Sequence, residues 1–168
     1  MVQPTSVQRV AEAARALGLE IDIREFPEGT RTAEDAARAI GVAVGQIVKS
    51  LVFMTAEGAG GQGVRGSAVV CLVSGANRLD PVRLASITGA PKVRRASAYE
   101  VRETTGFAVG GVPPFGHRTS VPVYCDTDLL QYDAVWAAAG TPMAVFAIDP
   151  KELVRVCGAT VSDLKETA

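Results

Sequence analysis

The stretch Ile47-Val48-Lys49-Ser50-Leu51-Val52-Phe53-Met54 reads as the clearest strand of the chain, and Ala68-Val69-Val70-Cys71-Leu72-Val73 answers it with a nearly continuous apolar run that suits a buried strand. Upstream, Val7, Val10, Ala11, Ala14 and Leu17 recur at i, i+3, i+4 spacing until Gly18, which predicts an amphipathic helix, and Ile21-Asp22-Ile23 alternates as a short strand. Thr32 can cap a second helix, with Asp35 at the third position and Gly41 at its end. Downstream, Asp80-Pro81 opens a helix that closes at Gly89, and Ser97 with Glu100 forms a capping box for one that ends at Gly106. Strands are expected at 121–125, 134–139 and 143–148, the last two joined by a turn at Gly140-Thr141-Pro142, and Asp149-Pro150 opens a final helix ending at Gly158. The strands fall partly in adjacent pairs and partly between helices, which points to a mixed α+β fold rather than a regularly alternating doubly wound sheet.

The whole chain, residues 1–168, is expected to be a single domain, since its length suits one core and its 48% apolar and 21% charged residues suit folding. Seventeen Lys and Arg against eighteen Asp and Glu exclude the basic balance of a dedicated duplex-binding domain. The charge is uneven: residues 78–102 carry six basic side chains (Arg78, Arg83, Lys92, Arg94, Arg95, Arg102) against Asp80 and Glu100, a local +4. Such a stretch is either ordinary solvated surface or a local anion- or RNA-facing patch. No apolar run approaches a membrane span, and Gln3, Pro4 and Gln8 stand where a signal peptide needs an apolar block, so the expectation is a cytoplasmic protein with no membrane partner.

Cys71, Cys125 and Cys157 lie far apart without a C-x-x-C pair, and His117 is the single histidine, so disulfides, a zinc site and Ser-His or Cys-His catalysis have little support. Gly58-Ala59-Gly60-Gly61-Gln62-Gly63 matches the dinucleotide fingerprint letter for letter. It runs into the strand at 68–73 instead of a helix N-terminus, and so reads as a hairpin loop.

Two features could carry chemistry. Strand alternation puts Lys49 on the face of Ile47, Leu51 and Phe53, where a lone ammonium is costly unless something anionic meets it. Lysines also snorkel from strand ends, but Lys49 is the one Lys or Arg between Arg38 and Arg65, which favours a functional reading. The second feature is Gly110-Gly111-Val112-Pro113-Pro114-Phe115-Gly116-His117: its paired glycines can hold a carbonyl oxygen or phosphate against backbone amides, or can simply make a tight structural turn.

Residues 47–53, Ser74-Gly75-Ala76-Asn77, Thr105-Gly106, 110–117 and 121–126, in that order, resemble the YbaK/ProX family of aminoacyl-tRNA deacylases, relatives of the editing domain inserted in bacterial prolyl-tRNA synthetases. The resemblance spans roughly residues 11–161, and its most specific parts are the strand lysine and the G-x-x-x-P loop, matched by Lys49 and by Gly110 through Pro114. It implies a mainly antiparallel, barrel-like mixed sheet surrounded by helices. It further implies a trans-editing hydrolase that removes a small amino acid such as alanine or cysteine from proline tRNA, with no metal or cofactor. The nucleophile would be water, the terminal hydroxyl of the tRNA or the substrate's own side chain. Lys49 would hold the terminal phosphate or ribose, and the amides of Gly110 and Gly111 would meet the ester oxygen. Ser50, Pro114, His117, Asp126 and Gly140 would surround the substrate. Asp126 would take its ammonium group or cap a helix, Gly140 would line the pocket or make a turn, and His117 would order water or brace the loop. Arg78, Arg83, Lys92, Arg94 and Arg95 are the candidate tRNA contacts. The partners implied are mischarged tRNA and prolyl-tRNA synthetase, with no DNA, and the protein would be a monomer or homodimer. The rival reading is a tRNA- or synthetase-associated binding module without turnover. A small-molecule esterase is disfavoured, because no recognisable nucleophile–histidine motif is present.

Overall fold

The computed structural model describes residues 2–27, 32–56 and 66–167. The glycine-rich match at 58–63 lies outside them. The strand that decides the fold is β2 (Val48–Thr55), and it pairs antiparallel with β3 (Ala68–Ser74) along its whole length, Val48 opposite Ser74 and Met54 opposite Ala68. Around this pair runs a five-stranded sheet in the order β4-β2-β3-β5-β8, with β4 Val93–Arg95, β5 Val123–Asp126 and β8 Thr160–Ser162. Its β4-β2-β3 part is antiparallel, and β5 and β8 join in parallel. A second, antiparallel sheet of three strands orders β1 (Ile23–Glu25), β7 (Ala144–Ile148) and β6 (Val135–Ala138). Among the described residues a single parallel bridge, Ile47 to Trp136, links the two sheets, so the architecture is the mixed, mostly antiparallel α+β fold expected, without the closed barrel that the family resemblance implied.

β3 is apolar from Ala68 to Val73 because it is covered on both faces. Val70 and Leu72 join the main core between the sheets with Val48, Val52, Phe107, Phe115 and Phe146, while Val69, Cys71 and Val73 turn to a second core with Phe53, Leu84 and Leu164. Each fully buried Val or Leu contributes ~1.5–3 kcal/mol relative to exposure. Four of the five helices begin and end where the caps predict, and the first starts at a capping box on Thr5 that the sequence reading did not name. α1 (Ser6–Ala16) buries Val10 and Ala14. α2 (Ala33–Ile40) is capped by the Thr32 hydroxyl, which accepts from the Asp35 amide at 3.0 Å. α3 (Pro81–Thr88), α4 (Ala98–Thr105) and α5 (Pro150–Cys157) follow caps at Asp80, Ser97 and Asp149. The short strands β4 and β8 have no counterpart in the sequence reading, whereas the 3-10 helix Thr127–Gln131 follows the cap that was one of the two roles open to Asp126.

Candidate functional site

The β2–β3 register decides which groups of β2 face outward. Gly75 N–H donates to the Ile47 carbonyl (2.7 Å) and Thr55 N–H to Ser67 (2.8 Å), so the odd-numbered backbone groups of β2 point at β3. The even-numbered groups point to the opposite edge, as the bond from Ala96 N–H to the Val52 carbonyl (3.0 Å) shows. On that edge β4 covers Phe53 to Thr55 and the Trp136 bridge covers Ile47. Between them the edge has no strand partner among the described residues, and Ser50 presents its N–H and C=O there.

A cavity of about 360 Å³ opens against this bare edge. Ile47 and residues 48–52 of β2 form one wall, Ala33 and Ala36 of α2 and Trp136 to Ala138 of β6 form others, and Val109, Gly110, Thr141 and Pro142 rim it with Arg95. Its volume is in the range of small-ligand sites (~300–1,000 Å³). Its described lining holds two cations, Lys49 and Arg95, and no carboxylate, histidine or cysteine.

Lys49 leaves the apolar face of Leu51 and Phe53 at the end of β2, half-buried, and its ammonium donates to the Asn77 carbonyl at 2.5 Å. Burial lowers its pKa below the ordinary 10.5, with Arg95 and Arg78 pushing the same way and Glu34 and Asp126 opposing. Arg95 stands opposite Phe53 on the same face, its guanidinium 5.8 Å from that ring's centroid. Ser50 faces the space between the sheets with Val48 and Val52, and its buried Oγ is the single such side-chain atom without a hydrogen-bond partner among the described residues.

The glycine loop reaches the cavity at Gly110, whose φ of +91° lies in the left-handed region, and through the side chain of Val112. Gly111 does not supply the second amide expected of it, because its N–H is spent on the Ala108 carbonyl (3.0 Å). Its own carbonyl accepts from Gly140 N–H at 3.0 Å, which makes Gly140 a brace behind the wall rather than part of the lining. A Cβ on Gly111 would lie 2.7 Å from Thr141 Cα. Pro114 and His117 are likewise outside the lining. Val112 and Phe115 are buried plugs, the Pro114 carbonyl meets Cys157 Sγ at 3.2 Å, and His117 Nε2 bonds the Pro113 carbonyl at 2.7 Å. Burial lowers the His117 pKa, so the ring braces the loop in its neutral form. Burial pushes the thiols of Cys71, Cys125 and Cys157 up to about 12, which leaves them protonated and unreactive.

Asp126 is also outside the lining and only 1% exposed. Its carboxylate accepts from Ser74 N–H (3.0 Å), Asn77 Nδ2 (2.9 Å) and Asp128 N–H (3.0 Å), the last bond capping the 3-10 helix. A substrate ammonium would have no path to it, so the substrate-binding role expected of Asp126 gives way to the cap. The five basic candidates divide in the same way. Arg94 is held bidentately by Glu100 (2.7 and 2.8 Å), and Arg83 by Asp163 (2.6 Å) and Asp80 (3.8 Å). Arg78 and Arg95 make no ion pair among the described residues and act on Lys49, while Lys92 is exposed away from the cavity. Asn77, Trp136 and the small residues Ala33 and Ala36 went unnoticed as site components. Asn77 stood inside a quoted motif, and the alanine pair at i, i+3 was the signal for a helix face that must approach something closely.

The sequence model of the aminoacyl-tRNA editing domain matches residues 27–156. A solved structure described as a candidate trans-editing enzyme for prolyl tRNA synthetase is 49% identical and superposes with a TM-score of 0.87 over 99% of this chain and 100% of its own. YwhH of Bacillus subtilis (strain 168) is 35% identical over 134 residues, 80% of each chain. A protein of Enterococcus faecalis (strain ATCC 700802 / V583), described as a candidate Cys-tRNA(Pro)/Cys-tRNA(Cys) deacylase, is 25% identical over 162 residues, 96% of this chain and 93% of its own.

Proposed function

Because this chain belongs to the aminoacyl-tRNA editing domain family, we propose that it is a deacylase that hydrolyses the ester of a wrongly attached small amino acid, alanine or cysteine on proline tRNA. The observation that carries this reading is the cavity itself: two cations and an open strand edge, with no acid, histidine or thiol in its described lining. An acyl-enzyme route needs a nucleophile with a base beside it. Ser50, Thr32 and Thr141 are hydroxyls without one here, so the attacking oxygen comes from water or from the substrate.

An aminoacyl ester is already an activated acyl group, so the protein's task is to place it and to stabilise the developing oxyanion. Lys49 takes the terminal phosphate or ribose with the two N–H donors it does not spend on Asn77. The amides of Ser50 and Gly110, which the Gly111 amide does not join, meet the ester oxygen from two walls. The Ser50 carbonyl and Oγ then receive the amino group, since no carboxylate is at hand, and Val52, Val101, Val112 and Val145 close around a short side chain. Arg78 and Arg95 meet the phosphates leading away from the mouth.

A deacylation panel tests this: alanine, cysteine, serine and threonine on proline tRNA and on their cognate tRNAs, with release of the amino acid followed at low protein concentration. Rapid release of alanine or cysteine from proline tRNA is the expected result. Tight binding of every species without release above the uncatalysed rate would instead establish a binding module.

A further inference from the structure

We infer that Asn77 and Asp126 form a positioning unit for Lys49, an inference that rests on the deacylase reading for its kinetic consequence but not for its geometry. The carbonyl that receives the Lys49 ammonium belongs to the last residue of a tight turn, closed by the bond from Asn77 N–H to the Ser74 carbonyl (2.9 Å). Asp126 clips both ends of that turn with one oxygen, taking Ser74 N–H at 3.0 Å and Asn77 Nδ2 at 2.9 Å. The Asn77 amide also donates to Asp128 Oδ2 (2.9 Å), and Lys165 Nζ holds that same oxygen at 2.9 Å.

The chain of contacts therefore runs from Lys165 through Asp128 and Asn77 to Lys49, with the buried Asp126 as its fixed point. Asp126 has no direct cation among the described residues, and the three N–H donors around it are what allow a carboxylate to stand in the interior. A flexible lysine stem has rotamers to spare, and a site that works by placement gains from removing them. With one N–H tied to a rigid carbonyl, the ammonium is aimed before substrate arrives. Asn77 and Asp126 touch neither the cavity nor the reacting atoms and act only through Lys49.

The test is a double-mutant cycle read beside the lysine itself. Asn77→Ala keeps the carbonyl and removes the tether. It is expected to lower kcat ~10–100-fold, as misplacement of a catalytic group does, with KM little changed. In a Lys49→Ala background the same substitution is expected to change the rate by less than about 2-fold, because the group it positions is gone. Nitrogen-detected NMR of the full chain without tRNA is expected to show a slowly exchanging Lys49 ammonium in the wild type and its loss in the variant, whose amide spectrum stays folded. Equal rate losses in both backgrounds, an unchanged ammonium signal, or no slowed ammonium in the wild type would each overturn the inference. If Asn77→Ala does not fold, Asp126→Asn reads the same three quantities. A wild type that deacylates no tRNA would refute the proposed activity and leave the NMR arm to decide the positioning.

Discussion

Replacing Lys49 by methionine separates what this residue does for the site from what it does for the fold. Methionine keeps an unbranched stem at this position, and only the charge goes. A charge-assisted contact in a partly dry cavity contributes ~2–3 kcal/mol, and 1.36 kcal/mol is tenfold in rate, so deacylation is expected to fall about 30- to 150-fold. Stability should move the other way. Burial holds the Lys49 pKa below 10.5 in the folded chain, so the unfolded chain binds that proton more tightly, and the buried ammonium destabilises the fold at neutral pH. The penalty is relieved only as pH rises through the lowered folded value towards 10.5. The melting temperature of Lys49→Met at pH 7 should therefore equal or exceed that of the wild type. The wild-type rate, corrected for uncatalysed ester hydrolysis, should decline as the ammonium deprotonates at alkaline pH. Single-turnover deacylation and a thermal melt on the same preparation measure both. A folded variant within about 3-fold of the wild-type rate would falsify the assignment of Lys49 to the substrate.

Arg78→Ala with Arg95→Ala should weaken tRNA binding and reduce the slope of log affinity against log salt by ~1.4, about 0.7 for each single-stranded phosphate contact, whereas Arg83→Ala with Arg94→Ala should leave the slope unchanged. Binding isotherms between 50 and 200 mM salt decide between the pairs. His117→Gln should alter the rate less than about 3-fold and flatten the acid side of the stability profile. Burial lowers the His117 pKa, so the folded state resists the proton the unfolded state takes, and stability is lost as pH falls below ~6.5. Melts from pH 7.5 to 5 on both proteins check this, and parallel curves would refute it. Gly111→Ala forces a Cβ to 2.7 Å from Thr141 Cα and 2.8 Å from the Gly140 carbonyl oxygen, backbone atoms that cannot yield. It should cost ~1–3 kcal/mol and lower the melting temperature by ~2–12 °C, and an unchanged melt would show that the loop has slack the structure does not.

The helices were legible because their ends are chemical: Thr32, Asp80, Ser97 and Asp149 cap, and Gly41, Gly89, Gly106 and Gly158 stop them in the left-handed region. The long strands were legible because burial selects their side chains. β4 and β8 were not, for each is three residues long with mostly exposed side chains, and pairing rather than hydrophobicity makes them strands. The site divided along the same line. Lys49 stood out as a charge in an apolar run. Nothing local could show that the Gly111 amide turns back on Ala108, that the Asp126 carboxylate points into the Ser74 turn, or that Arg94 and Arg95, adjacent in sequence, serve Glu100 and the cavity respectively. Alternation along β4 puts those two arginines on opposite faces, but β4 itself had to be seen first.

The cavity exists because β4 stops. In its register with β2, Arg95 lies opposite Phe53 and the Ala96 amide still reaches Val52, so two more residues of strand would bring Ala98 opposite Ser50 and cover the open edge. Ser97 prevents this. Its hydroxyl accepts from Glu100 N–H (3.1 Å) while its own N–H donates to the Glu100 carboxylate (2.8 Å), and the chain turns into α4 at the position where pairing would have continued. A capping box plain in the sequence thus bares the backbone of Ser50, and the pleat of β2 does the rest. Consecutive residues on a strand point to opposite faces ~3.3 Å apart, so Ser50 faces the space between the sheets and Lys49 the other side, where the proposed deacylation would have it meet the ribose and phosphate. An ester held by both has to cross the bare edge between them, where Gly110 approaches from the facing wall with no side chain to obstruct it.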